Sequence, residues 1–119
     1  MKILVADDEA TICKVCKFIL EKSGHKVVTA SNGVEALTLA KDFKPEFIIS
    51  DMLMPVMNGY EFVERYQREN PSVKVLLMTG TVYAIEENGY DPGKYPILEK
   101  PIRASKLVEK VNEVYTQTA

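Results

Sequence analysis

Short apolar runs alternate with amphipathic segments along the whole chain. The runs fall at about residues 2–6, 26–30, 46–50, 74–78 and 96–99. The first, third and fourth runs are nearly continuous, which is typical of strands that are covered on both faces. Strand and helix patterns alternate five times, which predicts an α/β fold with a three-layer, doubly wound sheet of five parallel strands and right-handed crossovers.

Helical periodicity marks the segments between these runs. The predicted helices extend from Ala10 to Lys22, from the cap Asn32 to Pro45, from Tyr60 to Glu69, from Val82 to Asn88 and from Ala104 to Tyr115. The fourth is only two turns long, because Gly89 is placed to end it and residues 90–94 have the composition of a turn. We therefore expect a short or irregular fourth helix in the least regular part of the domain.

The two cysteines, Cys13 and Cys16, form a C-x-x-C pattern within the first predicted helix. This helix has a buried stripe made of Ile12, Val15, Cys16, Ile19 and Leu20. Cys16 lies inside the stripe and Cys13 near its rim, and His25 is the single histidine, so a closed zinc site lacks ligands. The pattern favours packing over a redox or metal role.

Length and charge exclude several classes of protein. With 119 residues the chain has room for one core, and its composition is that of a globular domain. A net charge of -2 argues against nucleic acid as a direct partner. No apolar run approaches the roughly 20 residues of a membrane span, and none has the form of a signal peptide. The expected location is the cytoplasm.

Functional side chains follow the predicted strands. Asp7 and Asp8 end the first run, Asp51 the third, Thr79 the fourth and Lys100 the fifth. In an open parallel sheet the carboxyl ends of the strands lie along one edge, where ligands bind. Three carboxylates, a hydroxyl and an ammonium would meet there, and this set suits a divalent metal and a phosphoryl group on a carboxylate.

Four motifs around these residues resemble the receiver domain of two-component response regulators. They are ILVADDE at 3–9, DMLMPVMNG at 51–59, LMTG at 77–80 and EKP at 99–101. The resemblance covers essentially the whole chain and implies a single receiver domain over residues 1–119. It also implies a flavodoxin-like sheet of order 2-1-3-4-5, phosphorylation at Asp51 and a cis peptide between Lys100 and Pro101.

The resemblance further implies a role for each site residue. Asp8 and Asp51 would bind Mg²⁺ (or Mn²⁺) directly, with Asp7 acting through water and the Leu53 carbonyl adding an oxygen. Lys100 and Thr79 would each hold a phosphoryl oxygen. The phosphoryl donor would be a histidine kinase or a histidine phosphotransfer protein. A downstream effector or output domain would read the signal, with a phosphorylation-dependent homodimer as a further possibility.

One position departs from the family pattern. Receivers usually have an aromatic residue three positions before the lysine, where this chain has Ile97, with Tyr95 two residues earlier. Two hypotheses for the switch follow. Either Tyr95 replaces the missing aromatic, or Thr79 transmits the signal by moving the backbone of residues 79–90.

A docking surface for the phosphoryl donor is predicted around the mouth of the site. Its residues are Thr11, Lys14, Val15, Phe18, Pro101 and Ile102. Phe18 is the most informative, since it lies about 130° from the centre of the buried stripe at 100° per residue.

Two other functions fit the sequence less well than a receiver domain does. A phosphatase or mutase of the haloacid dehalogenase type needs an acid two residues after its nucleophile, where this chain has Leu53. A pseudo-receiver that takes no phosphate is disfavoured by the intact acids and Lys100. We therefore expect a phosphoacceptor domain rather than a turnover enzyme, either free-standing or part of a longer chain.

Overall fold

The computed structural model describes residues 1–80, 83–91 and 93–116. For residues 83 and 84 it describes the backbone and not the side chains. The strands of the protein are β1 (Lys2–Ala6), β2 (Lys26–Ala30), β3 (Phe47–Asp51), β4 (Lys74–Thr79) and β5 (Ile97–Glu99). Its helices are α1 (Ala10–Lys22), α2 (Gly33–Phe43), α3 (Gly59–Glu69), α4 (Tyr83–Glu87) and α5 (Ala104–Thr116). The five predicted strands are confirmed to within one residue at each end.

All strand pairs are parallel, and the order across the sheet is β2-β1-β3-β4-β5. The flavodoxin-like topology predicted from the resemblance is therefore confirmed. The order reverses between β1 and β3, which are neighbours in the sheet although β2 lies between them in sequence. A crevice opens at the carboxyl ends of the strands on such a reversal, and this is the usual ligand position in open α/β sheets.

The sheet separates two apolar cores, which gives the three layers. On one face α1 and α5 pack against alternate residues of the strands, among them Ile3 and Val5 of β1. On the other face α2, α3 and Ile85 of α4 cover Leu4 and Ala6. Because successive strand residues point to opposite faces, the continuous apolar runs are explained by burial on both sides.

The stripe predicted for α1 is wrong at one position. Val15 is 43% exposed, whereas Cys13, predicted near the rim, is 7% exposed and packs in the core. The Cys13 thiol donates to the carbonyl of Asp7 at 3.3 Å, so the helix is rotated towards the end of β1. Burial raises the pKa of Cys13 to about 11 and that of Cys16 to about 12, so both thiols stay protonated at neutral pH.

Two other helices differ from the pattern in the same way. In α2 the small residues Gly33, Ala36 and Ala40 are buried, while the apolar Val34 is 45% exposed. In α5 Tyr115 is 51% exposed, although its spacing from Leu107, Val111 and Val114 is that of one helix face. Small side chains let a helix approach the sheet closely, and periodicity alone does not reveal which residues face that contact.

Helix ends agree with the predicted signals. The Asn32 side chain accepts a hydrogen bond from the backbone of Glu35 at 2.9 Å and caps α2. Gly24 and Gly89 have φ of 92° and 77° beyond α1 and α4. The start predicted for α4 at Val82 lies outside the described residues, and the helix has five residues from Tyr83. The Lys100–Pro101 peptide is cis, as the resemblance implies.

Among the described residues, no helix is both long and apolar enough to cross a membrane.

Candidate functional site

Strand pairing brings the predicted site residues to one edge of the sheet. Ala6 pairs with Ser50, so Asp7 and Asp51 are the next residues on neighbouring strands. Asp51 pairs with Met78, which places Thr79 one residue further along β4. The backbone nitrogen of Lys100 donates to the carbonyl of Thr79 at 2.8 Å and fixes the end of β5 beside β4.

The three aspartates form one acidic cluster. Carboxylate oxygens of Asp7, Asp8 and Asp51 all lie within 4.8 Å of one another. Asp7 and Asp51 are buried, whereas Asp8 is exposed at the mouth. Oxygen ligands at this spacing, with one side open to solvent, suit a hard divalent cation such as Mg²⁺.

Lys100 lies at the centre of these charges. Its Nζ is 3.0 Å from Asp7 Oδ2 and 3.2 Å from Asp51 Oδ2. It is also 3.8 Å from Oε1 of Glu9, a fourth acid that sequence reasoning missed although it directly follows the aspartate pair. Burial acts to lower the pKa of Lys100, but the contact with Asp7 and the charge of Asp51 outweigh it and raise that pKa. Lys100 therefore stays protonated and positively charged at neutral pH.

The Asp7 and Asp51 carboxylates still repel each other although Lys100 lies between them. Burial raises the pKa of the Asp51 carboxyl, the charge of Asp7 raises it further, and Lys100 opposes both only in part. Within the described residues, the buried Oδ2 of Asp7 has the Lys100 ammonium at 3.0 Å and no other polar partner. A buried carboxylate oxygen with one cationic neighbour, beside carboxylates that repel it, fits a cation site, so the donor set is suited to a divalent metal.

A loop of residues 52–58 leads from the acid cluster into α3. The backbone N–H of Leu53 acts to lower the pKa of the Asp51 carboxyl, and the Leu53 side chain is 44% exposed. Val56 has φ of 71° and is 84% exposed. Gly59 lies directly under the carbonyl of Asp51, where no side chain fits. The loop therefore crosses the mouth of the site while its end is packed against β3.

The predicted docking residues are brought together in part. Thr11, Val15, Pro101 and Ile102 line one cavity of about 180 Å³, together with Ile12 and Cys16, which the sequence analysis did not place there. Lys14 instead lines a neighbouring cavity with Asp7 and Asp8. Phe18 lines neither cavity, but it is 63% exposed on α1 as predicted. Lys22 Nζ lies 5.2 Å from the centroid of its ring.

The predicted switch residues lie on the α2–α3 side of the sheet. Ile97 and Tyr95 are both half-buried and pack against that core. Tyr95 meets Tyr60 edge to face with 5.5 Å between centroids, and Tyr90 stacks on the same ring at 4.2 Å. Most described residues between 80 and 95 are exposed, but Ile85, Tyr90 and Tyr95 pack against this core. The spacing of the three tyrosines gave no signal of the cluster.

Comparison with known proteins gives a consistent result. The family described as response regulator receiver domain matches residues 3–112. The chemotaxis protein CheY of Thermotoga maritima is 30% identical over 115 residues, which are 95% of this chain and 96% of that protein. The regulatory protein PhoP of Bacillus subtilis is 31% identical over 95% of this chain but 48% of PhoP.

Solved structures of similar fold belong to the same kind of protein. The chemotaxis protein CheY4 of Vibrio cholerae superposes with a TM-score of 0.84 at 32% identity, covering 95% of this chain and 97% of that one. Several of the curated relatives are longer. The chain spans about half the length of PhoP, of the response regulator SaeR of Staphylococcus aureus, and of the probable transcriptional regulator ycf29 of Pyropia yezoensis.

Proposed function

Because this chain belongs to the family of response regulator receiver domains, we propose that Asp51 is the residue on which it accepts a phosphoryl group. The domain is a phosphorylation-dependent switch of two-component signalling. The position of Asp51 supports the proposal most directly, since this buried carboxylate lies between two further acids and a lysine at the sheet edge.

The chemistry is an in-line displacement at phosphorus. A carboxylate oxygen of Asp51 forms a bond to phosphorus while the P–N bond of a phosphohistidine breaks and its electron pair returns to the imidazole. This step requires ionised Asp51, and the Lys100 ammonium at 3.2 Å favours that form. Phosphoryl transfer depends mainly on positioning and on neutralising the equatorial oxygens, and the residues around Asp51 are suited to both.

Each neighbouring residue has a proposed role. Lys100 turns from the carboxylates to one phosphoryl oxygen, and the Thr79 hydroxyl donates to another. Asp8, Asp51 and the carbonyl of Leu53 would hold Mg²⁺ or Mn²⁺, with Asp7 acting through water. When bound, the metal supplies positive charge to the phosphoryl oxygens. The domain thus supports its own phosphorylation and dephosphorylation without turning over an external substrate.

A direct test uses the isolated chain. Incubation with Mg²⁺ and acetyl phosphate is expected to add one phosphoryl group, mapped to Asp51 by mass spectrometry after trapping of the acyl phosphate. Beryllium fluoride is expected to bind at the same residue and to give a bound-fluoride NMR signal only with Mg²⁺ present. Absence of both modifications would favour a pseudo-receiver.

The proposed donor is a histidine kinase or a histidine phosphotransfer protein in the cytoplasm. It would dock on a surface defined by Thr11, Lys14, Val15, Phe18, Pro101 and Ile102. Support comes from the cavity between α1 and the loop after Lys100, and from the exposed ring of Phe18. The phosphorylated domain would act on an effector, an output domain or a second copy of itself.

The single variants Phe18→Ala and Ile102→Ala are each expected to slow transfer from the cognate phosphohistidine protein, because each removes apolar contact area. Their combined effect should be at least about tenfold. Phosphorylation by acetyl phosphate, which needs no docking, should be unchanged. Leu39→Ala is a matched control, because Leu39 is an exposed apolar residue on α2 at 36% exposure. Equal transfer rates in all three variants would contradict the docking surface.

The switch is expected to involve residues 80–95, of which 81, 82 and 92 lie outside the described residues. A phosphoryl group shifts a conformational equilibrium only if one state forms stronger hydrogen bonds to it than the other state. We propose that the Thr79 hydroxyl makes this difference. Hydrogen exchange of apo and beryllium-fluoride forms should therefore differ in this segment. Tyr95, or Tyr83 whose side chain is not described, should change exposure rather than Ile97. Equal protection in both forms would exclude the segment as the switch.

A further inference from the structure

Tyr90 joins the segment after α4 to the beginning of α3. Its ring stacks on Tyr60 with the planes 17° apart, and its backbone nitrogen donates to the carbonyl of Ile85 at 3.0 Å. Its hydroxyl oxygen accepts a hydrogen bond from Nδ2 of Asn58 at 2.6 Å. A side chain with no proposed part in the reaction is therefore bonded to the end of the loop that begins at Asp51.

The Asn58 side chain is bonded at both ends of its amide group. Oδ1 accepts a hydrogen bond from the backbone of Glu61 at 2.9 Å and caps α3, while Nδ2 is used by Tyr90. Rotation of the amide would turn its NH₂ group towards the backbone N–H of Glu61 and break the cap, whereas the Tyr90 hydroxyl can donate as well as accept. The cap therefore sets the orientation of the amide, and Tyr90 adds a second contact that ties Asn58 to the segment after α4.

The loop of residues 52–58 needs such anchoring because it carries strain. Val56 is β-branched and has φ of 71°, a conformation that costs free energy and persists only where the surrounding structure fixes it. Val56 is 84% exposed, so its own packing does not fix it. Met54 and Met57 anchor the loop in the core, and two hydrogen bonds hold its end: Gly33 donates to the carbonyl of Met57 at 3.1 Å and Asn58 donates to Tyr90.

The strained loop also contains part of the site. Leu53 lies two residues after Asp51, its backbone N–H favours the charged form of that carboxylate, and its carbonyl is the proposed metal ligand from this loop. A small shift in the loop would change the position of both groups.

We propose that Tyr90 is a positioning residue for phosphorylation: through Asn58 it holds the 52–58 loop in the conformation that presents Leu53 to the metal and to Asp51. This inference rests on the proposed function of Asp51. The coupling is reciprocal, because whatever stabilises the loop at the metal also strengthens the contact of Asn58 with Tyr90. Tyr90 would thereby connect the end of α4 to the site by a route separate from Thr79.

Tyr90→Phe removes one hydroxyl and keeps the stacked ring, so it isolates the hydrogen bond. We expect it to weaken Mg²⁺ binding in calorimetry by about fivefold, the scale of one lost hydrogen bond, and to slow acetyl phosphate labelling of Asp51 by a similar factor. Tyr66→Phe is the matched control, because Tyr66 lies near the other end of α3 and its hydroxyl donates to Ala40 at 3.5 Å. It should change neither quantity, whatever it does to the melting temperature.

A double-mutant cycle tests whether Tyr90 acts through Asn58. Asn58→Ser keeps a capping oxygen but cannot reach Tyr90, so in that background Tyr90→Phe should have no further effect on Mg²⁺ affinity. Additive effects, or a Tyr90→Phe variant that binds Mg²⁺ like wild type, would overturn the proposal. Failure of the proposed function would look different, since wild type itself would then not be labelled at Asp51.

Discussion

Asp51→Asn is expected to abolish acyl phosphate formation while leaving the fold intact. An amide cannot attack phosphorus as a carboxylate does, so labelling by acetyl phosphate should fall by a factor of at least 1,000, on the scale of losing a reaction's nucleophile. Asparagine has nearly the same shape as aspartate, and Asp51 is buried at the end of β3, so packing is preserved. Phosphate-affinity electrophoresis and intact mass spectrometry measure the loss.

Asp42→Asn is the matched control for this variant. Asp42 is an exposed acid on α2, and its replacement changes the net charge by the same amount without touching the site. Labelling of this control should equal that of wild type. Persistent labelling of Asp51→Asn at Asp7 or Asp8 would mean that a different carboxylate of the cluster is the acceptor.

The same variant tests the electrostatics of the metal-free site. Burial and the charge of Asp7 raise the pKa of Asp51 in the folded protein. Such an acid favours folding fully only below its unfolded pKa, near 4, and this contribution is lost as the pH rises through the folded pKa. Ionised Asp51 therefore destabilises the metal-free domain at neutral pH relative to an uncharged residue.

Metal-free Asp51→Asn should accordingly be more stable than wild type at pH 7, by roughly 1 kcal/mol or several degrees in melting temperature. The difference should shrink as the pH falls towards 4, because wild-type Asp51 then becomes protonated. Mg²⁺ should raise the melting temperature of wild type more than that of the variant. Melts in EDTA and in Mg²⁺ decide this, and an unchanged or lower midpoint without metal would contradict the expected repulsion.

The sheet and the site were predictable from sequence for the same physical reason. Parallel strands buried on both faces leave continuous apolar runs, and polar residues mark where these runs end. Asp7, Asp51 and Thr79 lie at or near such ends, so the strand pattern alone predicts that they share one edge. The roles of the individual residues required the family resemblance, since spacing does not distinguish an acceptor from a metal ligand.

Helix rotation and loop contacts were not predictable in this way. Cys13 and Val15 are both apolar residues near the edge of a stripe, and the choice between them depends on the rotation of α1 over the sheet. The pairing of Tyr90 with Asn58 joins residues 32 positions apart, and Tyr90 itself lies after α4, where the sequence has no regular periodicity. Composition predicted only an irregular segment with a turn there, because glycine and proline signal turns but do not show what the intervening aromatic rings contact.

Gly59→Ala is expected to destabilise the domain severely, because the first residue of α3 lies against the end of β3. A Cβ at this position would overlap the carbonyl oxygen of Asp51 and would lie 2.5 Å from the Ser50 hydroxyl. The clash is largely with backbone, which cannot move aside without shifting the acceptor strand. We expect a loss of about 3 kcal/mol, the upper end of overpacking effects, and a melting temperature lower by more than about 10 °C.

Gly80→Ala provides the matched comparison, since a Cβ at Gly80 would have no heavy atom of the described residues within 4 Å. Replacing a glycine in unstrained backbone reduces the entropy of the unfolded chain, so this variant should be as stable as wild type or slightly more stable. Thermal and urea melts of the two variants therefore separate a packing effect from a general cost of losing glycine. If Gly59→Ala melts within a few degrees of Gly80→Ala, the close approach of α3 to Asp51 is not required for the fold. If it is stable but is labelled slowly by acetyl phosphate, the strand end has moved instead, and the contact serves to place the acceptor carboxylate.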